Sequence, residues 1–197
     1  LTNISNIHFD LYEYDNALEY ANRCLDIFKK YQDEKRLIGL YHTLGNIYFK
    51  KEDFDNALVH FKNSLKLSES NTIGHMLANS GIGKVYYKLK NYDRARFYLN
   101  QALKQSNELL NIEGEIISEF YLARVNADEG SYAFALKHLD NAFAIADEHS
   151  RKHDIMSIHE MYAIIYEKTG DITKAYQNMK HFEKLKEEIF QQDTINK

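Results

Sequence analysis

An alanine recurs along this chain at an almost constant spacing, and this repeat limits the possible folds more than any other feature. Successive copies lie 40, 38, 40 and 40 residues apart, and a small residue lies twelve positions before each of them. The alanines are Ala17, Ala57, Ala95, Ala135 and Ala175, and the small residues are Ser5, Gly45, Gly83, Ala123 and Ala163. A period of roughly 20 to 50 residues is typical of proteins that stack one supersecondary unit. The sequence therefore predicts five copies of one such unit.

The position of the small residue predicts that each copy is a pair of antiparallel helices. Two helices approach each other closely only where their side chains are small. We therefore expect Gly45 to face Ala57, and Gly83 to face Ala95, within one pair. The second helix of each pair follows a side chain that can accept its first free amide hydrogens. These capping residues are Asp53, Asn91, Ser131 and Asp171, with Glu13 as a weaker cap.

The composition agrees with an all-helical chain. Proline, which breaks helices, is absent, and only 8 of the 197 residues are glycine. Hydrophobic residues make up 44% of the chain and charged residues 27%, which is typical of a globular protein with a packed core. The pattern predicts helices at residues 1–11, 14–32, 35–51, 54–69, 73–89, 92–109, 113–129, 132–149, 153–168 and 172–195.

The second copy resembles the tetratricopeptide repeat family. It has Leu-Gly-Asn-Ile-Tyr at residues 44–48, then Phe-Asp-Asn-Ala-Leu at residues 54–58 and Phe61, which is similar to that family's order of apolar, small and aromatic residues. The usual repeat of the family has roughly 34 residues, so this chain is similar to its long-repeat variant, as in bacterial signalling proteins. The resemblance implies an all-α fold, a right-handed superhelical solenoid of five helical hairpins with a concave inner face.

No Gly/Ser-rich linker interrupts the repeats, so we expect one continuous domain over residues 1–197. Its repeats would span residues 1–34, 35–72, 73–111, 112–151 and 152–190, with an extension of the C-terminal helix to residue 197. Because the chain begins within the repeat pattern and ends in an apparent helix, we expect it to be part of a longer protein. Phe182, Leu185 and Ile189 have the spacing of a short coiled-coil seam. The last helix could therefore cap the fifth repeat, lead into a further domain, or pair with a second copy in a homodimer.

In tetratricopeptide repeats the first helix of each pair lines the concave face, so the resemblance implies a peptide-binding groove there. The residues expected to face this groove are His42, Thr43, Asn46, Lys50, Ser80, Lys84, Tyr87, Lys88, Phe120, Tyr121, Arg124 and Asp128. Basic and aromatic side chains at its centre suit an acidic protein or peptide segment, although lysines on a helix face are usually only solvated. The clamp with which some relatives hold the carboxyl ends of chaperones matches here only at Asn46, so we do not expect chaperone-tail binding.

The expected function is that of a protein-binding scaffold, the regulatory or sensory region of a larger bacterial signalling protein. The alternative is a peptide-pheromone receptor that binds a short free peptide, because long-repeat regulators of that class have similar hairpins. We expect no enzyme activity, cofactor or metal in the chain itself. His149 and His153 have the spacing of a metal-binding pair but straddle a predicted turn. The Gly-Ile-Gly-Lys run at residues 81–84 resembles a phosphate loop only superficially, since it lies within a predicted helix.

The net charge and the cysteine content limit the classes of partner and the cellular compartment that we expect for this chain. A net charge of −4 and a pI near 6.1 do not provide the basic surface that nucleic-acid binding requires. No apolar run reaches the roughly 18 residues of a membrane span, and a single cysteine favours the cytoplasm. We expect Cys24 to be buried and His8 to pack between helices, with His60, His138 and His181 at the surface.

Overall fold

The computed structural model describes residues 2–195, with side chains up to Gln192, and the described residues are almost entirely helical. The helices are α1 Thr2–Asp10, α2 Tyr14–Lys30, α3 Glu34–Lys50, α4 Phe54–Leu67, α5 Ile73–Lys88, α6 Tyr92–Glu108, α7 Ile112–Asp128, α8 Tyr132–Glu148, α9 Lys152–Thr169 and α10 Ile172–Ile195. Every predicted helix end lies within two residues of the observed one, and the all-α class is confirmed.

The chain divides into two compact units, one up to Gly114 and one from Glu115 onward. The first unit contains the hairpins α1–α2, α3–α4 and α5–α6, and the second contains most of α7 together with α8, α9 and α10. A single domain over residues 1–197 stays a prediction. No helix in the described part of the chain has the length and apolar character needed to cross a membrane.

Most of the residues predicted to cap the second helices form the expected hydrogen bond at the helix N-terminus. The side chains of Asp53, Asn91 and Asp171 accept the amide hydrogen of the third residue of their helices, at 3.2, 3.2 and 3.1 Å. Ser131 makes no such bond to any described residue, so its prediction as a side-chain cap was wrong. Glu13 makes none either, in agreement with its weaker rank. Helix α8 therefore begins without the side-chain acceptor that α4, α6 and α10 have.

A left-handed residue ends the first helix of each hairpin at the same point of the repeat. These residues are Tyr12, Glu52, Lys90, Gly130 and Gly170, with φ between 56° and 83°. The following amide nitrogens then bond back across the end of the helix, as from Asp53 to the Tyr48 carbonyl oxygen at 2.9 Å. This arrangement pairs carbonyl groups that the end of a helix would otherwise leave unbonded. The backbone thus repeats with the same period as the alanines.

The small residues of the second and third hairpins lie in close contact with the second helix of their pair. A Cβ atom at Gly45 would lie 2.6 Å from the Phe61 ring, and one at Gly83 would lie 2.7 Å from Leu99. Phe61 and Leu99 follow the repeat alanines by four positions, which is one helical turn. The nearest atoms to Gly45 and Gly83 on the facing helix therefore belong to the residue one turn after the repeat alanine, and direct contact with Ala57 and Ala95 stays a prediction.

In the first hairpin the small residue contacts the repeat alanine directly. The Ser5 hydroxyl donates a hydrogen bond to the Ala17 carbonyl oxygen at 2.8 Å. Ala17, Ala57, Ala95 and Ala135 are all fully buried. The recurring alanine thus lies in the interior of four hairpins, as the sequence pattern requires.

Several single-residue expectations can be compared with the structure. Cys24 is buried, and His8 stacks on Tyr20 at a centroid distance of 5.3 Å, as predicted. The surface position expected for His60 was wrong, since its half-buried ring stacks on Tyr48 at 5.2 Å. His138 is also half-buried, and its Nδ1 lies 2.5 Å from the buried Glu119 carboxylate.

Helix α10 extends beyond the length of the other helices, as expected, and His181 is exposed on it, as predicted. His181 stacks on His159 of α9 with a centroid distance of 5.0 Å. The Phe190 side chain is 71% exposed. The predicted extension beyond Ile195 lies outside the described residues, and pairing of this helix with a second copy stays a prediction.

Candidate functional site

Helices α3 and α5, the first helices of two consecutive hairpins, carry all eight predicted groove residues of the first unit. We call the surface formed by His42, Asn46, Phe49, Lys50, Lys84 and Lys88 the α3–α5 face. His42, Asn46 and Lys84 are half-buried, as is Thr43, whereas Lys50 and Lys88 are exposed. Ser80 and Tyr87 are buried, at 6% and 9% exposure. Those two side chains therefore add to the packing beneath this face and offer little contact area to a partner.

Lys84 is a positive charge in an unusual position on the α3–α5 face. Its ammonium nitrogen lies 5.6 Å from the centroid of the Phe49 ring, and no described carboxylate comes within ion-pair distance of it. Burial, together with the positive charge of Lys50, lowers the pKa of Lys84 to about 8, and the negative charge of Glu113 opposes this shift. The ammonium group has thus lost water without gaining a counter-ion. Such a group is expected to attract an anion.

His42 lies beside Lys84 and is held in the neutral form. Its ring packs on Phe61 with a centroid distance of 5.7 Å, and the Asn46 amide nitrogen lies 3.4 Å from its Nδ1. Burial, followed by the charge of Lys84, lowers the pKa of His42 to about 4. At neutral pH the α3–α5 face therefore presents a neutral imidazole next to charged lysines.

The low pKa of His42 makes stability depend on pH. In the unfolded chain His42 has an ordinary pKa near 6.5, so it binds a proton as the pH falls below that value. In the folded chain His42 stays neutral until the pH approaches about 4. The stabilisation is complete above pH 6.5 and is lost as the pH falls toward 4. Because one pK unit corresponds to about 1.4 kcal/mol and the ring is half-buried, we expect a loss of about 1–2 kcal/mol.

Urea unfolding of the wild type and of His42→Gln at pH 7 and at pH 4.5 checks this expectation. The variant should lose less stability on acidification than the wild type, while His153→Gln, at an exposed position, should behave as the wild type does. An equal loss in the wild type and in His42→Gln would show that His42 is protonated normally in the folded chain.

In the second unit, α7 carries the remaining predicted residues. The Arg124 guanidinium lies 5.9 Å from the centroid of the Phe120 ring and 5.5 Å from that of Tyr121, and the two rings meet edge to face. Burial raises the pKa of Tyr121. Asp128 is exposed at the end of the helix. Phe120, Tyr121 and Arg124 therefore form one contiguous cluster on α7, and Asp128 follows one turn after Arg124 at the end of the helix.

A small cavity of about 180 Å³ opens beside this cluster, between α7 and α9. It is lined by Ile116, Ile117, Phe120, Tyr121, Asp154, Ser157 and Ile158. The residues from α9 were not predicted, because the sequence reasoning took groove residues only from the second to the fourth repeat. On the α3–α5 face, Phe49 was missed for a different reason. Its aromatic character was visible, but its position under the ammonium of Lys84 was not.

Comparison with known proteins gives a family and a fold. The tetratricopeptide repeat family model matches residues 1–70 and again residues 36–108. A search of curated proteins by sequence found no match. Among solved structures, the chain is similar to the apo form of RapI, with a TM-score of 0.71, 18% identity, and 96% of this chain and 83% of that chain covered.

Two further structures show the same likeness. Aspartyl phosphate phosphatase F from Bacillus subtilis has a TM-score of 0.81 at 13% identity, with 94% of this chain and 49% of that chain covered. YrrB, a TPR protein with an unusual peptide-binding site, has a TM-score of 0.55 at 20% identity, with 93% and 84% covered. At these identities the likeness concerns the fold.

Proposed function

Because this chain belongs to the tetratricopeptide repeat family, we propose that it binds an acidic segment of another protein on the α3–α5 face. The observation that carries the proposal is the half-buried Lys84 ammonium with no carboxylate among the described residues at ion-pair distance. A carboxylate from a partner would supply the missing counter-charge in a partly desolvated place, where an ion pair is screened less than in water.

The surroundings of Lys84 favour a peptide over a simple ion. Phe49 supplies a flat apolar surface under the ammonium, and Asn46 supplies an amide that can bond a peptide backbone. Exposed Lys50 and Lys88 add positive charge at the rim, in a chain whose net charge is −4. YrrB, which is similar in fold, has an unusual peptide-binding site. An extended segment with acidic residues fits this combination of charge and contact area.

We propose in addition that the chain is the regulatory region of a larger signalling protein. Its likeness to aspartyl phosphate phosphatase F, of which it covers 49%, supports this assignment. The sequence of the complete gene is the test, and a gene that encodes no output domain would contradict it.

Fluorescence anisotropy with two labelled 12-residue peptides tests the binding proposal. One peptide alternates glutamate with leucine, and the other has glutamine in place of every glutamate. We expect the acidic peptide to bind more tightly to the wild type, and Lys84→Glu to weaken its binding at least about tenfold, because a charge pair becomes a repulsion. Raising the salt concentration should weaken the binding as well.

Lys66→Glu is the matched control, since it makes the same charge change at an exposed position on α4. It should leave the affinity within about twofold of the wild type. Equal affinity for both peptides, or an equal effect of the two substitutions, would contradict the assignment of the α3–α5 face. Nanomolar capture of a free short peptide would favour a receptor for soluble peptides over a scaffold for a protein segment.

A further inference from the structure

We propose that Lys84 is a nucleophilic lysine that reacts with small activated acyl donors, acyl phosphates or acyl thioesters, in preference to the other lysines of the chain. The chemical part of this inference concerns Lys84 alone. Its consequence, that acylation would weaken the binding of an acidic segment, rests on the proposed function.

Lys84 is half-buried, whereas the other lysines within residues 2–192 are exposed. Lys51 contacts the carboxylate of Asp15, Lys152 lies 3.4 Å from Glu188, and Lys174 lies 3.2 Å from Asp171. Each of those ammonium groups is stabilised by a neighbouring negative charge. Lys84 instead lies half-buried above the Phe49 ring, on a face that also carries Lys50 and Lys88. Desolvation and a nearby like charge both favour the neutral amine.

Only the neutral amine attacks an acyl carbon, because its lone pair must be free. In the reaction the Nζ–C bond forms and the bond from the acyl carbon to the phosphate oxygen, or to the thioester sulfur, breaks. The phosphate or thiolate leaves with the electron pair, and the nitrogen loses its proton to solvent. The product is a neutral amide in place of an ammonium ion.

The expected rate advantage follows from the fraction of free amine. With a pKa of about 8, roughly a tenth of Lys84 is neutral at pH 7, against only a few parts in ten thousand for an ordinary lysine. A less basic nitrogen is also a weaker nucleophile, which offsets part of the gain. We expect a net rate about tenfold above that of an exposed lysine at pH 7.

Acylation of Lys84 would regulate the proposed binding, because the same ammonium group that attracts the acidic segment is the group that reacts. An anionic segment is attracted only by the ammonium form of Lys84. Acylation removes that positive charge, and only a deacylating reaction restores it. A bound carboxylate would in turn stabilise the ammonium form and protect it from acylation. Binding and modification of Lys84 therefore exclude each other.

Competitive labelling of the folded chain tests the inference. The protein is treated with acetyl phosphate at pH 7 until a few per cent of each lysine has reacted, then unfolded and labelled fully with deuterated acetic anhydride. Mass spectrometry gives the ratio of the two labels at each lysine. Lys88 is the internal reference, since it lies one turn further along α5 and is exposed. We expect Lys84 to react about tenfold faster than Lys88. A rate equal to or below that of Lys88 overturns the inference.

Two charge variants separate nucleophilicity from simple access to the reagent. Glu113→Gln removes the negative charge that favours the ammonium form, so Lys84 should react faster. Lys50→Gln removes the positive charge that disfavours it, so Lys84 should react more slowly. A change of either rate in the opposite direction, or no change in both, overturns the inference.

A separate folded sample, treated with acetyl phosphate until mass spectrometry shows Lys84 fully acetylated, distinguishes this inference from the proposed function. Protein acetylated at Lys84 should lose at least about tenfold in affinity for the acidic peptide, as Lys84→Glu does. Rapid acetylation without any binding of that peptide would support the nucleophilic lysine and contradict the binding proposal. Slow acetylation together with tight peptide binding would leave the binding proposal standing and overturn the present one.

Discussion

Replacing Phe61 with alanine is expected to lower the free energy of unfolding by about 3–5 kcal/mol, the range observed when a large buried aromatic side chain is truncated. The Phe61 ring is fully buried. It touches α3 at Gly45 and α5 at Gly81, where an added Cβ atom would lie 2.6 and 2.5 Å from ring atoms. One side chain thus holds together helices from two consecutive hairpins.

Urea unfolding followed by circular dichroism at 222 nm measures this loss. Phe97→Ala is the control, because Phe97 is also on a second helix of the first unit but is 59% exposed. It should change the stability by less than about 0.5 kcal/mol. Similar losses of stability in the two variants would mean that the burial of Phe61 between α3 and α5 does not stabilise the fold.

The Phe61 ring also links stability to the proposed binding face. His42 packs on this ring, and Lys84 lowers the pKa of His42 through its charge. A cavity at Phe61 would therefore remove the support beneath the half-buried part of the α3–α5 face. His42, which a partner would contact, is thus held in place by its packing on Phe61, which is buried and out of a partner's reach.

The helices could be predicted from the sequence because their signals are local. The alanine period, the absence of proline and the caps such as Asp53 are all visible within one repeat. The contact of Phe61 with Gly81 was not visible in this way, because Gly81 belongs to the next repeat. Matching positions inside one copy suggested that glycine faces alanine. The structure shows that the space at Gly45 and Gly81 accommodates the ring that follows one turn later.

The properties of side chains proved harder to predict than the helices. His60 was expected at the surface because it lies on a second helix, yet it stacks on Tyr48 of the neighbouring helix. Lys84 was predicted to belong to the groove, but its loss of water and its lack of a counter-ion depend on the neighbours that surround it in three dimensions. Sequence spacing shows which helix face a residue shares, whereas burial and pairing depend on other helices.

Substituting alanine for Gly81 is expected to lower the free energy of unfolding by about 2–3 kcal/mol, and Gly45→Ala should act similarly. Alanine is the better helix former by about 1 kcal/mol, so propensity alone predicts the opposite sign. The new methyl group would, however, lie 2.5 Å from a ring carbon of Phe61 at Gly81 and 2.6 Å at Gly45. The ring is fully buried and lies against both glycines, so a methyl group at either one presses it toward the other. Overpacking of this kind costs more than the helix gains.

Gly39 provides the control for this prediction, because it lies within α3 and a Cβ atom there would meet no described atom within 4 Å. Gly39→Ala should stabilise the chain by about 0.5–1 kcal/mol. A third variant identifies the source of the strain. With Phe61→Leu in the background, Gly81→Ala should cost less, since leucine lacks the outer ring atoms that the methyl group meets. If Gly81→Ala and Gly39→Ala stabilise the chain equally, the Phe61 ring does not occupy the space that Gly81 leaves open.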